Sequence, residues 1–231
     1  VSNKQKIVVL TGAGISAESG ISTFRDSNGL WENHRIEDVA SPEGWKKNKS
    51  LVLDFYNLRR KQLLSCSPNA AHIALAKLEE KFDVSIITQN VDDLHERSGS
   101  THVLHLHGEL RKAQSTLDPS LVYDWDNDIT LNDKCALGTQ LRPFIVWFGE
   151  AVPKIEEAIT LVQTADILLV IGTSLVVYPA AGLTNFTKPY TKKWLIDPND
   201  TSLPPQNGFV HIKEKATIGV TQLANQLLNH D

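Results

Sequence analysis

One stretch, IVVLTGAGISAESGISTFRD from Ile7 to Asp26, restricts the fold more than any other part of the chain. Ile7, Val8, Val9 and Leu10 form a short apolar, β-branched run suited to a strand buried on both faces of a parallel sheet. Glycines follow at once. Gly12 and Gly14 allow a sharp turn and a close approach of backbone to ligand, and Ile15 to Ser19 is expected to open a helix whose free N–H groups face a diphosphate. Ala17 stands where the dinucleotide fingerprint has its third glycine, and a Gly-x-Gly after an apolar run also occurs as a plain strand-to-helix turn. The rest of the chain has to decide between these readings.

Three more polar segments follow apolar runs in the same way. TQNVDDLHERSG, Thr88 to Gly99, comes after Val84–Ile87; HLHGEL, His105 to Leu110, ends a strand-like stretch Val103–His107; IGTSLVVYPAAG closes the run Ile167–Ile171. In open α/β sheets this is the end of the strands where ligands bind.

Helical patterns alternate with these strands. Ser41–Pro42–Glu43 reads as a helix start. Ser50 to Leu64 reads as a helix with Leu51, Phe55, Leu58 and Leu63 near one stripe. Further helices are expected over about 69–81, 153–164, 179–186 and 218–228, with short strands at Trp194–Ile196 and Val210–Ile212 and another in FIVWFG, Phe144 to Gly149. The alternation predicts an α/β fold, a Rossmann-like doubly wound parallel sheet. Two excursions interrupt it. The chain is read as one domain, 1–231, with a large lobe of about 1–26, 68–109 and 142–231 and a small lobe of about 27–67 and 110–141.

Composition narrows the function. The 231 residues are 41% hydrophobic and 22% charged, which suits a soluble globular protein with a sizeable core. Net charge is −4 and the longest basic run is Arg59–Arg60–Lys61, so the footprint of a nucleic-acid binder is missing. No apolar stretch reaches the length of a membrane span, and VSNKQKIVVL runs into the first strand without a signal-peptide pattern. A cytoplasmic monomer with no membrane partner is the expectation. Cys66 and Cys135 are too few for a disulfide framework.

Taken in order and at these spacings, the four motifs make the chain similar to the sirtuins, the NAD-dependent protein-lysine deacylases. The resemblance runs from about Val8 into the C-terminal region. It implies that NAD lies across the sheet edge, with Gly12, Ala13, Gly14, Ser16, Ala17, Gly172, Thr173, Ser174 and Ala216 as cofactor contacts. Phe24 and Arg25 match a mobile cofactor loop. Gln89, Asn90 and Asp92 match the nicotinamide pocket, whose amides and carboxylate suit a carboxamide. Asp197 stands where the family usually has Asn for the adenosine ribose; its carboxylate would disfavour a 2′-phosphate, so NAD is expected over NADP.

The implied reaction passes an acyl group from lysine to ADP-ribose and releases nicotinamide, with a base to activate a ribose hydroxyl. An imidazole suits that task near neutral pH. His105 and His107, two apart on an expected strand, point the same way, and spacing alone does not choose between them. The following Gly108–Glu109 selects His107 by resemblance. Val146, Trp147, Phe148, Gly149 and Glu150 match the segment that pairs with an acylated peptide, with Val176 and Tyr178 also at the substrate; Trp147 and Phe148 can equally serve as core on alternate faces.

Tyr56 and Arg59 lie at i and i+3 on the expected helix and share a face. Tyr-x-x-Arg there resembles the subclass that removes succinyl and malonyl groups, where the two hold a distal carboxylate, and Ala40 resembles the small residue that admits a longer acyl chain. Desuccinylation, demalonylation and deacetylation are the expected activities. Transfer of ADP-ribose to protein, NAD hydrolysis or a non-catalytic NAD-binding module compete with that reading. Sirtuins also carry a structural zinc on two Cys pairs. The region 110–141 offers only Cys135, so zinc is expected to be absent and the lobe to be held by Leu121, Val122, Tyr123, Trp125 and Leu137. Zinc on His105, His107 and Cys135 is the alternative.

Overall fold

The computed structural model describes residues 4–22, 30–31, 34–200 and 208–229. Strand β1, Lys6–Thr11, is followed by two single 3-10 turns, Ala13–Ile15 and Ala17–Ser19. The helix expected over 15–19 is not continuous: it breaks at Ser16 between the two turns, and Gly20, with a left-handed φ of 92°, ends the second. A two-stranded ribbon, β2 Leu30–Trp31 with β3 His34–Arg35, leads to α1 Ile36–Val39, α2 Pro42–Lys47 and α3 Lys49–Ser65. As read from the sequence, Ser41 caps α2, accepting from the Gly44 N–H at 3.0 Å with Pro42 in the first turn.

The large sheet resumes with α4 Ala70–Leu78, β4 Asp83–Thr88, α5 Leu94–Arg97 and β5 Val103–His105. Then come β6 Gly108–Ser115, β7 Val122–Asp124, β8 Leu141–Ile145, α6 Ile155–Thr164, β9 Ile167–Ile171, a 3-10 helix Ala180–Phe186, β10 Lys192–Ile196, β11 Phe209–Ile212 and α7 Ala216–Asn229. Six parallel strands lie in the order β11-β10-β9-β1-β4-β5, an α/β Rossmann-like arrangement. Both halves start beside β1, so the switch in strand order falls between β1 and β9.

Alternation along β1 shows why the sheet is covered twice. Ile7 and Val9 pack with Leu75 and Leu78 of α4 and Val220 and Leu223 of α7, while Val8 and Leu10 pack with Ala158 and Val162 of α6. All four β1 side chains are buried, each worth roughly 1.5–3 kcal/mol of transfer free energy.

The second excursion is a three-stranded antiparallel sheet, β7-β6-β8. FIVWFG was expected to be a strand to Gly149, but pairing stops at Ile145. The N–H groups beyond it are taken elsewhere: Val146 donates to the His107 carbonyl at 2.9 Å, Trp147 to the Glu150 carboxylate at 2.7 Å and Phe148 to the Ala40 carbonyl at 3.0 Å.

The apolar stripe of α3 also differs from its reading. Leu58 is 65% exposed, whereas Asn57, Arg59 and Arg60 are buried. Helix α3 therefore meets the second excursion with polar groups. Asn57 exchanges two hydrogen bonds with the Ile129 backbone, at 3.0 and 2.9 Å. Arg60 donates to the Leu110 carbonyl at 2.8 Å and to the Asn57 side-chain oxygen at 2.9 Å. Of the apolar residues expected to hold this lobe, Leu121, Tyr123 and Trp125 pack on its core, which includes Ala113, Ile129, Cys135 and Leu141. Val122 and Leu137 face solvent because they sit on an outer strand and a turn tip.

Asn57→Ala should cost about 2–4 kcal/mol in urea unfolding, since it leaves the Ile129 N–H and C=O buried without their partner. Lys61→Ala, which removes an exposed pair with Asp128, should cost under about 0.5 kcal/mol. Similar small losses for both would refute a polar clamp between α3 and the second excursion.

Candidate active site

At the switch point the carboxyl ends of β1 and β9 meet two glycine turns. The Gly12 N–H donates to the Ile171 carbonyl at 3.0 Å and the Gly14 N–H to the Gly172 carbonyl at 2.9 Å. A Cβ on Gly14 would stand 2.6 Å from the Gly172 Cα, and Gly172 itself has a φ of 59°. The glycines read as cofactor contacts are thus required first by the approach of these two turns to each other.

Above them opens a cavity of about 1270 Å³. This exceeds the roughly 300–1,000 Å³ of a single small-ligand pocket and leaves room for a dinucleotide together with a second substrate. Its walls bring together nearly every residue singled out from the sequence. Of the residues expected to contact the cofactor, Gly12, Ala13, Gly14, Ala17, Gln89, Asn90, Asp92, Gly172, Thr173, Ser174, Asp197 and Ala216 line the cavity. Ala40, Tyr56, Arg59, His107, Val146, Trp147, Phe148, Gly149, Glu150, Val176 and Tyr178 line the remainder. Ser16 is fully buried behind the wall, and Phe24 and Arg25 lie outside the described residues.

The Gln89–Asp92 segment is braced rather than loose. Gln89 Nε2 donates to Thr173 Oγ1 at 3.0 Å, tying the β4 turn to the β9 turn. Asn90 Nδ2 lies 3.2 Å from both the Gly12 carbonyl and Ser16 Oγ, and Ser16 Oγ in turn donates to Asp92 Oδ2 at 3.0 Å. Burial raises the Asp92 pKa, against bonds from Leu94 and Ser16 that favour its charged form.

The structure separates the two histidines. Strand β5 stops at His105, and the chain turns before Gly108, whose φ is 87° and whose missing Cβ leaves room for the Phe144 carbonyl. The period-two argument therefore fails at His107, the one that lines the cavity. His107 Nδ1 lies 3.1 Å from the Gln89 carbonyl, which can only accept, so Nδ1 carries the hydrogen and Nε2 is the basic nitrogen. Burial lowers the His107 pKa and keeps the ring neutral.

His105 is buried behind it, its Nε2 2.7 Å from Glu96 and its Nδ1 3.1 Å from the Asn90 carbonyl. Both partners accept, so both nitrogens hold hydrogens. Burial opposes that charge, but the bond to Glu96 outweighs it and the pKa is raised. Neighbouring carbonyls of the Gln89–Asn90 turn are thus each gripped by a histidine.

Sequence reasoning passed over Glu96, whose place one helical turn into a polar segment reads as surface, and Thr11 and Thr88, whose hydroxyls bond at 2.8 Å beneath the Asn90 N–H. Glu18, which binds the first turn of α7 through Thr217, was also missed, as were Gln62 and Lys215 on the cavity wall. The alternative zinc set does not form: His105, His107 and Cys135 make no cluster, and among the described residues no three His, Cys, Asp or Glu come together as ligands.

A general base works deprotonated, so its activity is lost as pH falls through its pKa. With His107 as the expected base and its pKa lowered by burial, the acid limb of kcat/KM should lie below the 6.5 of a solvated imidazole and the profile should be flat through neutral pH. His107→Tyr should remove at least about a hundredfold of the rate. A limb above 6.5 in a pH series on the purified enzyme would contradict a buried neutral base.

The same architecture is found in solved proteins. A Sir2 homolog solved as an NAD complex superposes with a TM-score of 0.88 at 38% identity, covering 98% of this chain and 90% of that one. A Sir2 enzyme with a deacetylated p53 peptide and 3′-O-acetyl-ADP-ribose gives a TM-score of 0.79 at 31% identity, covering 98% and 93%. A Helicobacter pylori protein named NAD-dependent protein deacylase is 54% identical over 224 residues, 97% of this chain and 98% of its own length. The Sir2 family model matches residues 12–179. The chain belongs to the Sir2 family, the sirtuins.

Proposed function

We propose that this chain is an NAD-dependent protein-lysine deacylase that removes succinyl and malonyl groups and also accepts acetyl groups. The relatives' name, NAD-dependent protein deacylase, supports the reaction class. The acyl preference is read from this chain's own cavity. The observation that carries it is the placement of Tyr56 and Arg59, both buried, on the wall that His107 also lines.

NAD suits the residues present. Asp197, at the end of β10, is 2% exposed and holds the Asn199 N–H at 2.9 Å, an arrangement that favours ribose hydroxyls and opposes a 2′-phosphate. Ala13, Gly14, Thr173 and Ser174 would take the phosphates, and Asn90 and Asp92 the carboxamide. When bound, NAD supplies an electrophilic ribose carbon with nicotinamide as leaving group. His107 Nε2 then takes a proton from a ribose hydroxyl, while Nδ1–H stays on the Gln89 carbonyl and fixes the ring.

At the acyl end, Ala40 is 2% exposed and too small to close the cavity. Tyr56 is kept a neutral phenol because burial pushes its pKa up. The Arg59 guanidinium sits 5.7 Å from the Phe55 ring centre and remains charged at any working pH. A neutral donor beside a fixed cation suits a terminal carboxylate. A peptide laid along Val146–Phe148 finds those N–H groups already donated, so this segment would recognise it mainly through carbonyls that accept the peptide's N–H groups.

Mass-spectrometric turnover of matched succinyl-lysine and acetyl-lysine peptides tests the reading. NAD-dependent loss of both groups is expected, the succinyl faster. Arg59→Met should lower desuccinylation about a hundredfold, the scale of a lost charged hydrogen bond, and deacetylation less than about threefold. Equal losses on the two peptides would count against carboxylate recognition.

A further inference from the structure

Tyr56 is not set by its own helix alone. Trp147, 2% exposed, donates from Nε1 to the Tyr56 hydroxyl at 3.1 Å across 91 residues of chain. An indole N–H is a donor only, so the Tyr56 oxygen must accept here, and its own hydrogen points away from the indole.

Trp147 is in turn fixed at both ring and backbone. The Arg142 guanidinium lies 3.4 Å from the indole centroid, and Trp45 packs at 5.7 Å with a tilt of 40°. Glu150 accepts from Arg142 Nη1 at 2.7 Å and Nη2 at 3.0 Å, and it also accepts the Trp147 N–H at 2.7 Å. Arg142 Nη2 reaches the Ile145 carbonyl at 2.8 Å as well, closing the loop onto the end of β8. One ion pair thus anchors the main chain of Trp147 and covers its ring, so the indole N–H has a single direction to aim.

We propose that Trp147 is a specificity-determining positioning residue: its indole N–H turns the Tyr56 hydroxyl to donate toward the carboxylate of a succinyl or malonyl group beside Arg59, with the Arg142–Glu150 pair holding the indole in place. This rests on the carboxylate-selective reading given above. A hydroxyl whose oxygen accepts one bond is a stronger donor in the next, so the indole both aims and strengthens the phenol. An acetyl group has no distal carboxylate and draws no benefit from that donor.

The test is kcat/KM for matched succinyl-lysine and acetyl-lysine peptides at saturating NAD, with the unaltered enzyme, Trp147→Phe, Tyr56→Phe and the double variant. Phe at 147 keeps an aromatic ring for Arg142 to cover and removes the N–H. We expect Trp147→Phe to lower the succinyl-to-acetyl ratio about tenfold, chiefly through a higher KM for the succinyl peptide, and to change it less than about twofold once the Tyr56 hydroxyl is gone. Equal losses on both peptides, or an undiminished drop in the ratio without that hydroxyl, would overturn the positioning role. An unchanged ratio in Trp147→Phe, with a collapsed ratio in Arg59→Met, overturns this inference alone. A ratio that neither Arg59→Met nor Tyr56→Phe alters removes the reading on which it rests.

Discussion

Two turns pressed together, the one after β1 and the one after β9, set the frame for everything above the sheet. Gly14 and Gly172 approach so closely that a methyl group on either would meet the other's backbone at 2.6 Å. Backbone cannot yield at that distance, so the strands would have to part. The wall of the cavity hangs from this contact. Gln89 reaches Thr173 just past Gly172, Asn90 reaches the Gly12 carbonyl, and Ser16 ties Asn90 to Asp92. His107 takes its tautomer from the Gln89 carbonyl. A shift of the glycine turns would therefore travel through the Thr173–Gln89 and Gln89–His107 hydrogen bonds to the proposed base.

The strands and the crevice were legible in sequence because each signal was local. Apolar runs of four or five residues ended in glycine or polar turns, and a parallel sheet places all those ends on one side. His107 was harder. Spacing placed it beside His105 on one strand face, and only the end of pairing at His105 and the turn into Gly108 send the two rings to different surroundings. That turn depends on the Phe144 carbonyl, 36 positions downstream, which no short-range pattern reports. Glu96 was missed because it sits on α5 while its partner, His105, ends β5, a pairing of two different elements that no single periodicity reports.

The second excursion shows the opposite failure. Apolar residues were expected to carry it, and Leu121, Tyr123 and Trp125 do contribute, but its tie to α3 runs through Asn57 and Arg60. A buried Arg reads from sequence as surface, since Arg is almost never fully buried without partners. Arg60 is 1% exposed, and burial lowers its pKa only to about 10, so it stays charged at neutral pH while donating to main-chain and side-chain oxygens. Directional bonds of this kind fix the angle between a helix and a sheet, which apolar packing alone does less sharply.

The electrostatics of the cavity then divide along its length. Around His107 the groups are held toward neutrality: the imidazole is kept uncharged by burial and the Asp92 carboxyl is pushed toward protonation. A neutral base in such a place takes up a proton without first giving one up. At the Tyr56–Arg59 end, the proposed acyl end, the environment carries fixed positive charge, Arg59 on the wall and Arg142 stacked behind Trp147. Glu150 compensates Arg142 directly, which leaves that cation as a holder of the indole rather than a competitor for substrate. A lysine could not take its place, because the two parallel bonds to Glu150 and the flat stack on the indole both need the planar guanidinium. The net charge of −4 says nothing about this end of the cavity; local geometry decides what it attracts.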